Sequence, residues 1–395
     1  MIVNVLGQGY IGLPTAIALA KAGNDVRGFD TNQIIVNRLQ KGEVHIKEDG
    51  LQESFSQVVR EGSLTICEEL QKSDVYIITV PTPFKEDKKK RNADLSFVVD
   101  AAKNISRMLK KDDLVILEST VPPGTTRMIT DLLSKESGLA REAFDTAYCP
   151  ERVLPGKMMY EMTHNDRIIG SERREAAVKA KKLYDTFLQD GRAFITDDVT
   201  AEMCKLVENS FRDVNIAFAN ELSIICDELN IDVNELISLA NKHPRVNLLS
   251  PGVGVGGHCI SVDPWFIVEA FEQKSKLITA ARNVNDQKPI YLAEKIAKML
   301  NFNENKRVAV LGLSYKPDVD DFRESPSLIM ANQLASEGYK VMGCDPNCTV
   351  PEIEGIKIFS FDQVCCEADL IVVAQNHREF IENKEKLKQK ECIYL

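Results

Sequence analysis

The sequence predicts an α/β protein with two doubly wound domains joined by a long central helix and a helical middle domain. Short apolar strands alternate with helical segments at both ends of the chain, as in parallel sheets covered by helices. The segment between them has helical apolar spacing. With 395 residues, the chain is too long for one ordinary hydrophobic core. We place the domains at residues 1–198, 199–302 and 303–395.

The first strand leads into a glycine-rich turn. Ile2 to Leu6 is a short apolar strand, and an Ala/Leu-rich helix follows the turn. The turn reads Gly7-Gln8-Gly9-Tyr10-Ile11-Gly12. In such a motif the first glycine permits a tight turn, the second lets a pyrophosphate approach the backbone, and the third allows close helix packing. The helix N-terminus then favours phosphate groups.

The second strand, Asp25 to Phe29, ends at Asp30. An acidic residue at this place accepts hydrogen bonds from ribose hydroxyls and repels a 2′-phosphate. The strand, turn, helix, second strand and acid follow in the order and spacing of a dinucleotide-binding motif. The sequence therefore predicts a Rossmann-like domain that binds NAD rather than NADP.

A similar order of elements returns near the C-terminus. Residues 307–312 form a strand that ends in glycine, residues 340–344 form a second strand that leads to Asp345, and residues 369–374 form a third. We expect a helix over residues 325–337 and a last strand that includes Tyr394. The later glycines of the motif are absent here, so this Rossmann-like domain should bind a different ligand or none.

The middle of the chain begins with a long predicted helix over residues 200–229. Thirty helical residues extend roughly 45 Å, and helices of this length normally bridge domains or build a subunit interface. Lys205 and Asn209 are four residues apart and therefore share one helix face. By spacing alone, the neighbouring Glu202 and Glu208 favour an ordinary solvated helix surface.

A glycine-rich segment, residues 251–257, precedes His258 and Cys259. Glycines let the backbone wrap closely around a ligand, and a thiol can add to an aldehyde so that the resulting tetrahedral carbon releases a hydride. A tight structural connection is an equally good interpretation of this segment alone. Because His258 is adjacent to the cysteine in sequence, we interpret it as a structural histidine.

Polar residues also follow apolar strands in the first domain. Thr120 and Glu151 stand at such positions, and catalytic groups often lie at the carboxyl ends of strands in α/β sheets. The basic run over residues 85–91 is interpreted as a solvated loop.

Composition excludes several classes of protein. The net charge of -10 argues against general binding of nucleic acid or a membrane surface. We find no apolar run of about 18 residues and no secretory signal, so we expect a cytoplasmic protein. The ten cysteines lack a zinc-binding pattern and indicate reduced thiols, with no metal site. We expect two close pairs to be buried: Cys344 with Cys348, and Cys365 with Cys366.

Together these motifs resemble the nucleotide-sugar dehydrogenases, the family of UDP-glucose dehydrogenase, over essentially the whole chain. The resemblance rests on long strings at residues 7–14, 80–83, 118–122, 149–156, 202–220, 243–247, 255–266 and 312–316.

The resemblance implies a four-electron oxidation of a sugar C6 alcohol to a carboxylate with two NAD, and UDP-N-acetyl-D-mannosamine as the substrate. It implies that Cys259 is the nucleophile, that Lys205 and Asn209 stabilise the oxyanion, and that Asp263 handles protons through water. Glu151 and Thr120 match positions assigned to the hydrolytic water or to acid–base work.

The resemblance also assigns binding residues. NAD would be held by Gly7, Gly9, Tyr10, Ile11, Gly12, Asp30, Thr82 and Thr120. The UDP-sugar would be held by Arg152, Lys205, Asn209, His243, Arg245, Gly256, Lys316 and Arg323, with UDP in the C-terminal domain. Arg245 would reach a neighbouring subunit's sugar site, which implies a homodimer or higher homo-oligomer built on the central helix.

Three alternatives stay open at this point. One is the same chemistry on UDP-glucose or UDP-N-acetylglucosamine. Another is a two-electron dehydrogenase of a hydroxy acid in which Cys259 is only structural. The third is a non-catalytic NAD-binding sensor, against which the joint presence of Lys205, Asn209, Cys259 and Asp263 counts.

Overall fold

The structure is a computed structural model that describes residues 1–85, 91–154 and 156–395. The chain divides into two compact units, Met1–Val207 and Glu208–Leu395. Most of the basic run over residues 85–91 lies outside the described residues, while Lys85 itself is exposed.

The first unit contains eight strands and seven complete helices among its described residues. They are β1 (Ile2–Leu6), α1 (Gly12–Lys21), β2 (Asp25–Phe29), α2 (Gln33–Gln40), α3 (Leu51–Arg60), β3 (Leu64–Cys67), β4 (Val75–Ile78), α4 (Ser96–Ser106), β5 (Leu114–Leu117), α5 (Thr125–Ser137), β6 (Asp145–Tyr148), α6 (Met158–His164), β7 (Arg167–Gly170), α7 (Arg174–Tyr184) and β8 (Ala193–Thr196).

These strands form one sheet in the order β3-β2-β1-β4-β5-β6-β7-β8. Strands β4 and β5 are buried along their whole length because helices cover both faces of the sheet. The strand order reverses direction between β1 and β4, which is where ligands bind in doubly wound sheets. The prediction of a parallel sheet is confirmed except at one place, since β6 and β7 pair antiparallel.

The long helix α8 (Asp198–Leu229) begins in the first unit and ends in the second. It contains 32 residues, so it extends about 48 Å. The prediction of a long helix over residues 200–229 is thus confirmed, with two further residues at its start. In the parts of the chain that the structure describes, no helix is both long and apolar enough to cross a membrane.

The second unit continues with helices and then a smaller sheet. Its elements are α9 (Val233–Ala240), α10 (Asp263–Ala270), α11 (Lys276–Met299), β9 (Arg307–Leu311), α12 (Pro326–Ser336), β10 (Lys340–Cys344), β11 (Glu352–Ile353), β12 (Ile356–Lys357), α13 (Phe361–Glu367), β13 (Leu370–Val373), α14 (Arg378–Glu382), α15 (Lys384–Leu387) and β14 (Cys392–Tyr394).

The smaller sheet is parallel, in the order β10-β9-β13-β14. Strands β9 and β13 lie at its centre and are almost wholly buried. The predicted C-terminal strands are confirmed, including a last strand that contains Tyr394. The expectation that four cysteines are buried is only partly right: Cys344 is buried, Cys348 and Cys365 are half-buried, and Cys366 is exposed on α13.

Candidate active site

The glycine turn after β1 is the first part of the site. Gly7 adopts φ +92°, and its amide donates to the carbonyl of Phe29 at 2.8 Å. A Cβ on Gly12 would lie 1.8 Å from the Gly7 carbonyl oxygen, whereas a Cβ on Gly9 would meet no atom within 4 Å. Gly12 is therefore required by packing within the protein, and Gly9 faces open space. The sequence interpretation of the two glycines agrees with this geometry.

Asp30 stands beside this turn. Its Oδ2 accepts a hydrogen bond from the amide of Gln8 at 2.7 Å, and its Oδ1 accepts one from Asn32 at 2.8 Å. An ionised carboxylate has about four acceptor positions, so both oxygens can still accept from ribose hydroxyls. The open space at Gly9 and this oriented acid fit NAD. Tyr10, on the same turn, is exposed, and Ile11 is half-buried.

Thr82 and Thr120 follow adjacent strands at the same edge of the sheet. The hydroxyl of Thr82 donates to the carbonyl oxygen of Thr120 at 2.7 Å, so the loops after β4 and β5 are joined. Both side chains are half-buried. The structure thus brings together these two predicted cofactor residues at the carboxyl ends of their strands.

Glu151 follows β6 at this edge and is buried. Its Oε2 accepts from Nη2 of Arg167 at 2.7 Å, and the same guanidinium lies 3.7 Å from Glu118. Burial raises the pKa of Glu118 to about 7; Arg167 opposes this rise and the charge of Glu151 adds to it. Tyr184 donates to Glu118 at 2.5 Å. No local pattern in the sequence indicates that Arg167 contacts Glu151 and Glu118.

Glu202 corrects another expectation. The sequence pattern favoured a solvated surface around this residue, but its side chain is fully buried. Its Oε1 accepts from the amide and the hydroxyl of Thr126 at 2.7 Å each, and Oε2 accepts from the amide of Gly124. The carboxylate therefore satisfies donors at the start of α5, where a negative charge is also favoured by the helix dipole.

The contact of Glu202 with Thr126 and Gly124 helps to position Lys205, because Lys205 lies one turn further along α8 from Glu202. Burial raises the pKa of Glu202, although the hydrogen bonds from Thr126 and Gly124 oppose that rise. Glu202 thereby attaches the first turns of α8 to the loop that follows Thr120. No local pattern in the sequence indicates this contact, because residues 124–126 lie far from Glu202 in the chain.

Asn209 and Asp263 meet in the second unit. Nδ2 of Asn209 donates to Oδ2 of Asp263, which is buried at the start of α10. The amide of Asp263 donates to the carbonyl oxygen of Cys259 at 2.8 Å. These contacts link α8, α10 and the cysteine through two of the residues that the sequence analysis selected.

Cys259 itself is exposed at the end of the glycine-rich loop. Gly257 adopts φ +83°, and its amide donates to the carbonyl oxygen of Arg323 at 3.2 Å. A Cβ on Gly256 would lie 2.5 Å from the carbonyl oxygen of Glu324. Gly256 and Gly257 are therefore required because this loop packs directly on the segment before α12.

His258 lies against Asp321 and Arg323, two residues of that same segment. Its Nδ1 is 3.0 Å from Nη2 of Arg323 and 3.5 Å from Oδ2 of Asp321. Hydrogen bonds with Asp321 and with the thiol of Cys259 raise the pKa of His258 to about 9. The interpretation as a structural histidine stays a prediction; the contacts of its ring with Asp321 and Arg323 join residues that are far apart in sequence.

The turn after β9 has the same hydrogen bonds as the turn after β1, including the bond to the acidic residue that follows the second strand. Gly312 donates to the carbonyl of Cys344 at 2.8 Å, and Asp345 accepts from Leu313 at 2.8 Å and from Asn347 at 2.9 Å. Here, however, the buried ring of His377 lies 3.2 Å from the Asp345 carboxylate. Asp345 is thus enclosed within the protein, which explains physically why this turn does not repeat the site at Asp30.

The remaining predicted substrate residues are at the surface or nearly so. His243, Arg245 and Lys316 are exposed, and Arg152 is half-buried with Nη1 donating to the carbonyl oxygen of Asp166 at 2.9 Å. Nδ1 of His243 accepts from the amide of Arg245 at 3.4 Å, so these two residues share one short turn after α9. The cationic side chains of Arg245 and Lys316 are exposed, so they are available to an anionic ligand.

Comparisons with known proteins agree on one family. Three consecutive parts match the UDP-glucose/GDP-mannose dehydrogenase family: its NAD binding domain over residues 1–188, its central domain over residues 199–287 and its UDP binding domain over residues 309–393. The chain is 48% identical over 392 residues to the UDP-N-acetyl-D-mannosamine dehydrogenase of Campylobacter jejuni, with 96% of each chain covered.

Two further relatives are similar over nearly the whole chain. The NDP-N-acetyl-D-galactosaminuronic acid dehydrogenase of Ralstonia solanacearum is 43% identical, with 96% of this chain and 91% of that protein covered. The solved structure of the UDP-D-ManNAc dehydrogenase of Pyrococcus horikoshii has a TM-score of 0.91 at 37% identity, and covers 100% of this chain and 95% of that chain.

Proposed function

Because this chain belongs to the UDP-glucose/GDP-mannose dehydrogenase family, we propose that it oxidises UDP-N-acetyl-D-mannosamine at C6 to the uronate through a thioester on Cys259. The chain is an NAD-dependent oxidoreductase of a sugar nucleotide. The choice of sugar and the roles of individual residues are the proposal. The observation that carries it is the exposed Cys259 thiol on a loop that Asn209 and Asp263 attach to α8.

The proposed reaction consumes one alcohol, two NAD⁺ and one water, and yields one carboxylate, two NADH and three protons. When bound, NAD supplies the hydride acceptor for both oxidations. Between them, the sulfur of Cys259 forms a bond to the aldehyde carbon, and the resulting thiohemiacetal becomes a thioester when its hydride leaves. Water then breaks the carbon–sulfur bond and regenerates the thiol.

Other residues position charge and protons around these steps. Lys205 and Asn209, on one face of α8, would donate to the oxyanion that forms when the thiolate adds to the carbonyl. Asp263 would exchange a proton through water. Glu151, held by Arg167, and Thr120 would orient the water that attacks the thioester.

Binding residues follow from the same site. Gly7, Gly9, Tyr10, Ile11, Gly12, Asp30, Thr82 and Thr120 are proposed for NAD, and Arg152, His243, Arg245, Gly256, Lys316 and Arg323 for the UDP-sugar. We propose domains at residues 1–198, 199–302 and 303–395, close to the matched family segments. We propose a cytoplasmic location, which the ten free cysteines support.

The proposal includes a homodimer built on α8. Phe211, Phe218 and Ile225 recur every seven residues and are 68%, 50% and 47% exposed. Seven residues are close to two helical turns, so these side chains form one apolar stripe, which Leu229 extends. A second copy that presents the same stripe would bury it across a two-fold axis. Arg245 would then be available to the partner's sugar site.

The decisive experiment is a product-resolved assay with NAD and a panel of UDP-hexoses. UDP-N-acetyl-D-mannosamine should give two NADH per sugar and should exceed UDP-glucose, UDP-N-acetylglucosamine and UDP-N-acetylgalactosamine in kcat/KM. One NADH per sugar would contradict the thioester route and favour a two-electron dehydrogenase. NAD binding without turnover of any sugar nucleotide would favour a sensor.

A variant pair tests the cysteine. Cys259→Ala should abolish acid formation while NAD binding is retained, because the thioester cannot form. Cys366→Ala removes another exposed thiol, on α13, and should leave the two-NADH stoichiometry unchanged. Full acid formation by Cys259→Ala would remove Cys259 from the nucleophile's role.

A further inference from the structure

We propose that His377 is a positioning residue for the UDP-sugar, because its buried ring holds the backbone on both sides of Lys316 in place. The inference rests on the proposed function, in which the cationic Lys316 contacts the anionic UDP. Both residues lie within the part of the chain that matches the UDP binding domain of the family, residues 309–393. They are far apart in sequence, and the segment that His377 would order is residues 314–318.

The start of this segment is fixed by Asp345. Its Oδ2 accepts hydrogen bonds from the amides of Leu313 and Ser314 at 2.8 and 3.0 Å. Nε2 of His377 lies 3.2 Å from the same oxygen and 3.2 Å from Oγ of Ser314. The hydroxyl of Ser314 in turn donates to the carbonyl oxygen of Lys316 at 2.9 Å. The ring thus contacts both the acid and the serine that order the backbone as far as Lys316.

The end of the segment is fixed by the other ring nitrogen. Nδ1 of His377 accepts a hydrogen bond from the amide of Asp318 at 3.0 Å, and Oδ1 of Asp318 accepts one from the amide of Arg378 at 3.0 Å. Asp318 adopts φ +59°, a left-handed conformation that is uncommon for residues other than glycine. Contacts with two successive residues stabilise this conformation. Lys316 therefore lies between Ser314 and Asp318, two residues that the same ring contacts.

These hydrogen bonds determine the tautomer of the ring. Nδ1 faces the amide hydrogen of Asp318, and Nδ2 of Asn347 is a second donor 3.4 Å away, so Nδ1 is the acceptor. The ring hydrogen is then on Nε2, which faces the carboxylate of Asp345, a group that only accepts. His377 thus accepts on one side and donates on the other, which an apolar side chain of similar size cannot do.

The ring acts through the segment and not on the ligand. His377 is fully buried, and its ring meets the ring of Phe380 edge-on with 5.3 Å between the centroids. Lys316, by contrast, is exposed. A segment that is already ordered before the ligand arrives loses less conformational entropy on binding, so its preorganisation increases affinity. Loss of the ring contacts should therefore weaken UDP binding although the ring itself does not touch UDP.

The test measures binding of UDP to the full-length protein by isothermal titration calorimetry. His377→Leu keeps an apolar side chain in the space of the ring but removes both nitrogens, and the Kd for UDP should rise about tenfold. In steady-state assays the KM for the UDP-sugar should rise in the same way. The KM for NAD and the kcat should stay close to the wild-type values, since the residues proposed for NAD all lie in the first unit.

Two amide variants separate the two sides of the ring. Oδ1 of an asparagine takes the place of Nδ1, so His377→Asn keeps the acceptor for Asp318. The side-chain nitrogen of a glutamine takes the place of Nε2, so His377→Gln keeps the donor to Asp345. Each should raise the Kd for UDP, but by less than His377→Leu does. If His377→Leu does not fold, the rise in Kd in these two variants carries the test.

Two further variants separate positioning from general loss of stability. Val364→Ala removes buried apolar atoms from α13 in the same unit, and should lower the thermal stability while leaving the Kd for UDP unchanged. The double variant Lys316→Ala/His377→Leu should bind UDP about as weakly as Lys316→Ala alone, because His377 acts through Lys316.

A wild-type Kd for UDP in folded His377→Leu, or in both amide variants, would overturn the proposal. Equal losses of UDP affinity in Val364→Ala and His377→Leu would do so too, as would additive losses in the double variant. UDP binding needs neither turnover nor a particular sugar. If the product-resolved assay gives one NADH per sugar while these shifts in Kd are present, the proposed function fails and the role of His377 stands.

Discussion

The side-chain amide of Asn209 donates a hydrogen bond to the buried carboxylate of Asp263. About three turns further along α8, Asn220 accepts a hydrogen bond from the amide of Gly252 at 2.9 Å. These two contacts attach both ends of the segment that carries Cys259 to the same rigid helix. Helix α8 thus fixes the path of the loop as well as contributing Asn209 to the proposed oxyanion site.

The Asn209–Asp263 contact should contribute measurably to stability. Asn209→Ala leaves a buried carboxylate without this donor, and we expect the free energy of unfolding to fall by about 1–3 kcal/mol. Urea unfolding measures the change. Asn215→Ala is a matched control, because the amide of Asn215 donates to a carbonyl of its own helix at 2.7 Å. Equal losses in both variants would contradict the special role of Asn209.

Two glycines of the first turn should respond differently to alanine. In Gly12→Ala the new Cβ would overlap the Gly7 carbonyl oxygen, so we expect a loss of about 1–3 kcal/mol or more in stability. In Gly9→Ala the Cβ enters open space, so the fold should keep its stability while NAD affinity falls by at least about tenfold. Thermal unfolding and calorimetric titration with NAD separate the two effects.

The control is Gly252→Ala, where a Cβ also meets no atom within 4 Å but which lies in the second unit. Gly252→Ala should change neither the stability nor the NAD affinity by much. Unaltered NAD affinity in Gly9→Ala would show that the cofactor does not approach the backbone at this glycine.

The parts of the site that sequence could predict are local in the chain. The turn from Gly7 to Gly12 and the acid at Asp30 lie within one strand–helix–strand unit, and their spacing alone determines how they meet. The repeated strands near the C-terminus were recognisable for the same reason. The spacing of apolar residues also predicted α8, because a long run with helical periodicity fits few structures other than a helix.

The contacts that sequence missed join residues far apart in the chain. A glutamate at position 202 is typical of a solvated helix surface. Its burial is explained by its hydrogen bonds with Thr126 and Gly124. Arg167 begins an ordinary apolar strand, and nothing near it in sequence indicates that it contacts Glu151. His377 enclosing Asp345 is a further case. Such pairings depend on packing, which a single sequence does not specify.

Glu118 should make stability depend on pH. Its pKa is raised to about 7 by burial, with Arg167 opposing the rise and Glu151 adding to it. Between about pH 4.5 and 7 the unfolded chain loses this proton while the folded chain keeps it, so stability falls as pH rises. Above pH 7 both states are ionised and the penalty is constant. Glu118→Gln cannot ionise and should therefore gain stability relative to the wild type across that window.

Thermal unfolding of both proteins from pH 4.5 to 8 measures this difference. Glu175→Gln, at an exposed position on α7, is the control and should follow the wild type at each pH. A difference between the wild type and Glu118→Gln that stays constant from pH 4.5 to 7 would exclude the raised pKa as its cause.

The apolar stripe on α8 gives the final prediction. Phe218 is 50% exposed at the middle of the stripe, and Phe218→Arg would place a charge where the proposed two-fold axis brings it close to its own copy. We expect a dimer in the wild type and a monomer in the variant by sedimentation velocity. Ile381→Arg changes an exposed apolar residue on α14 and should remain dimeric. A dimer of unchanged affinity in Phe218→Arg would place the subunit interface elsewhere.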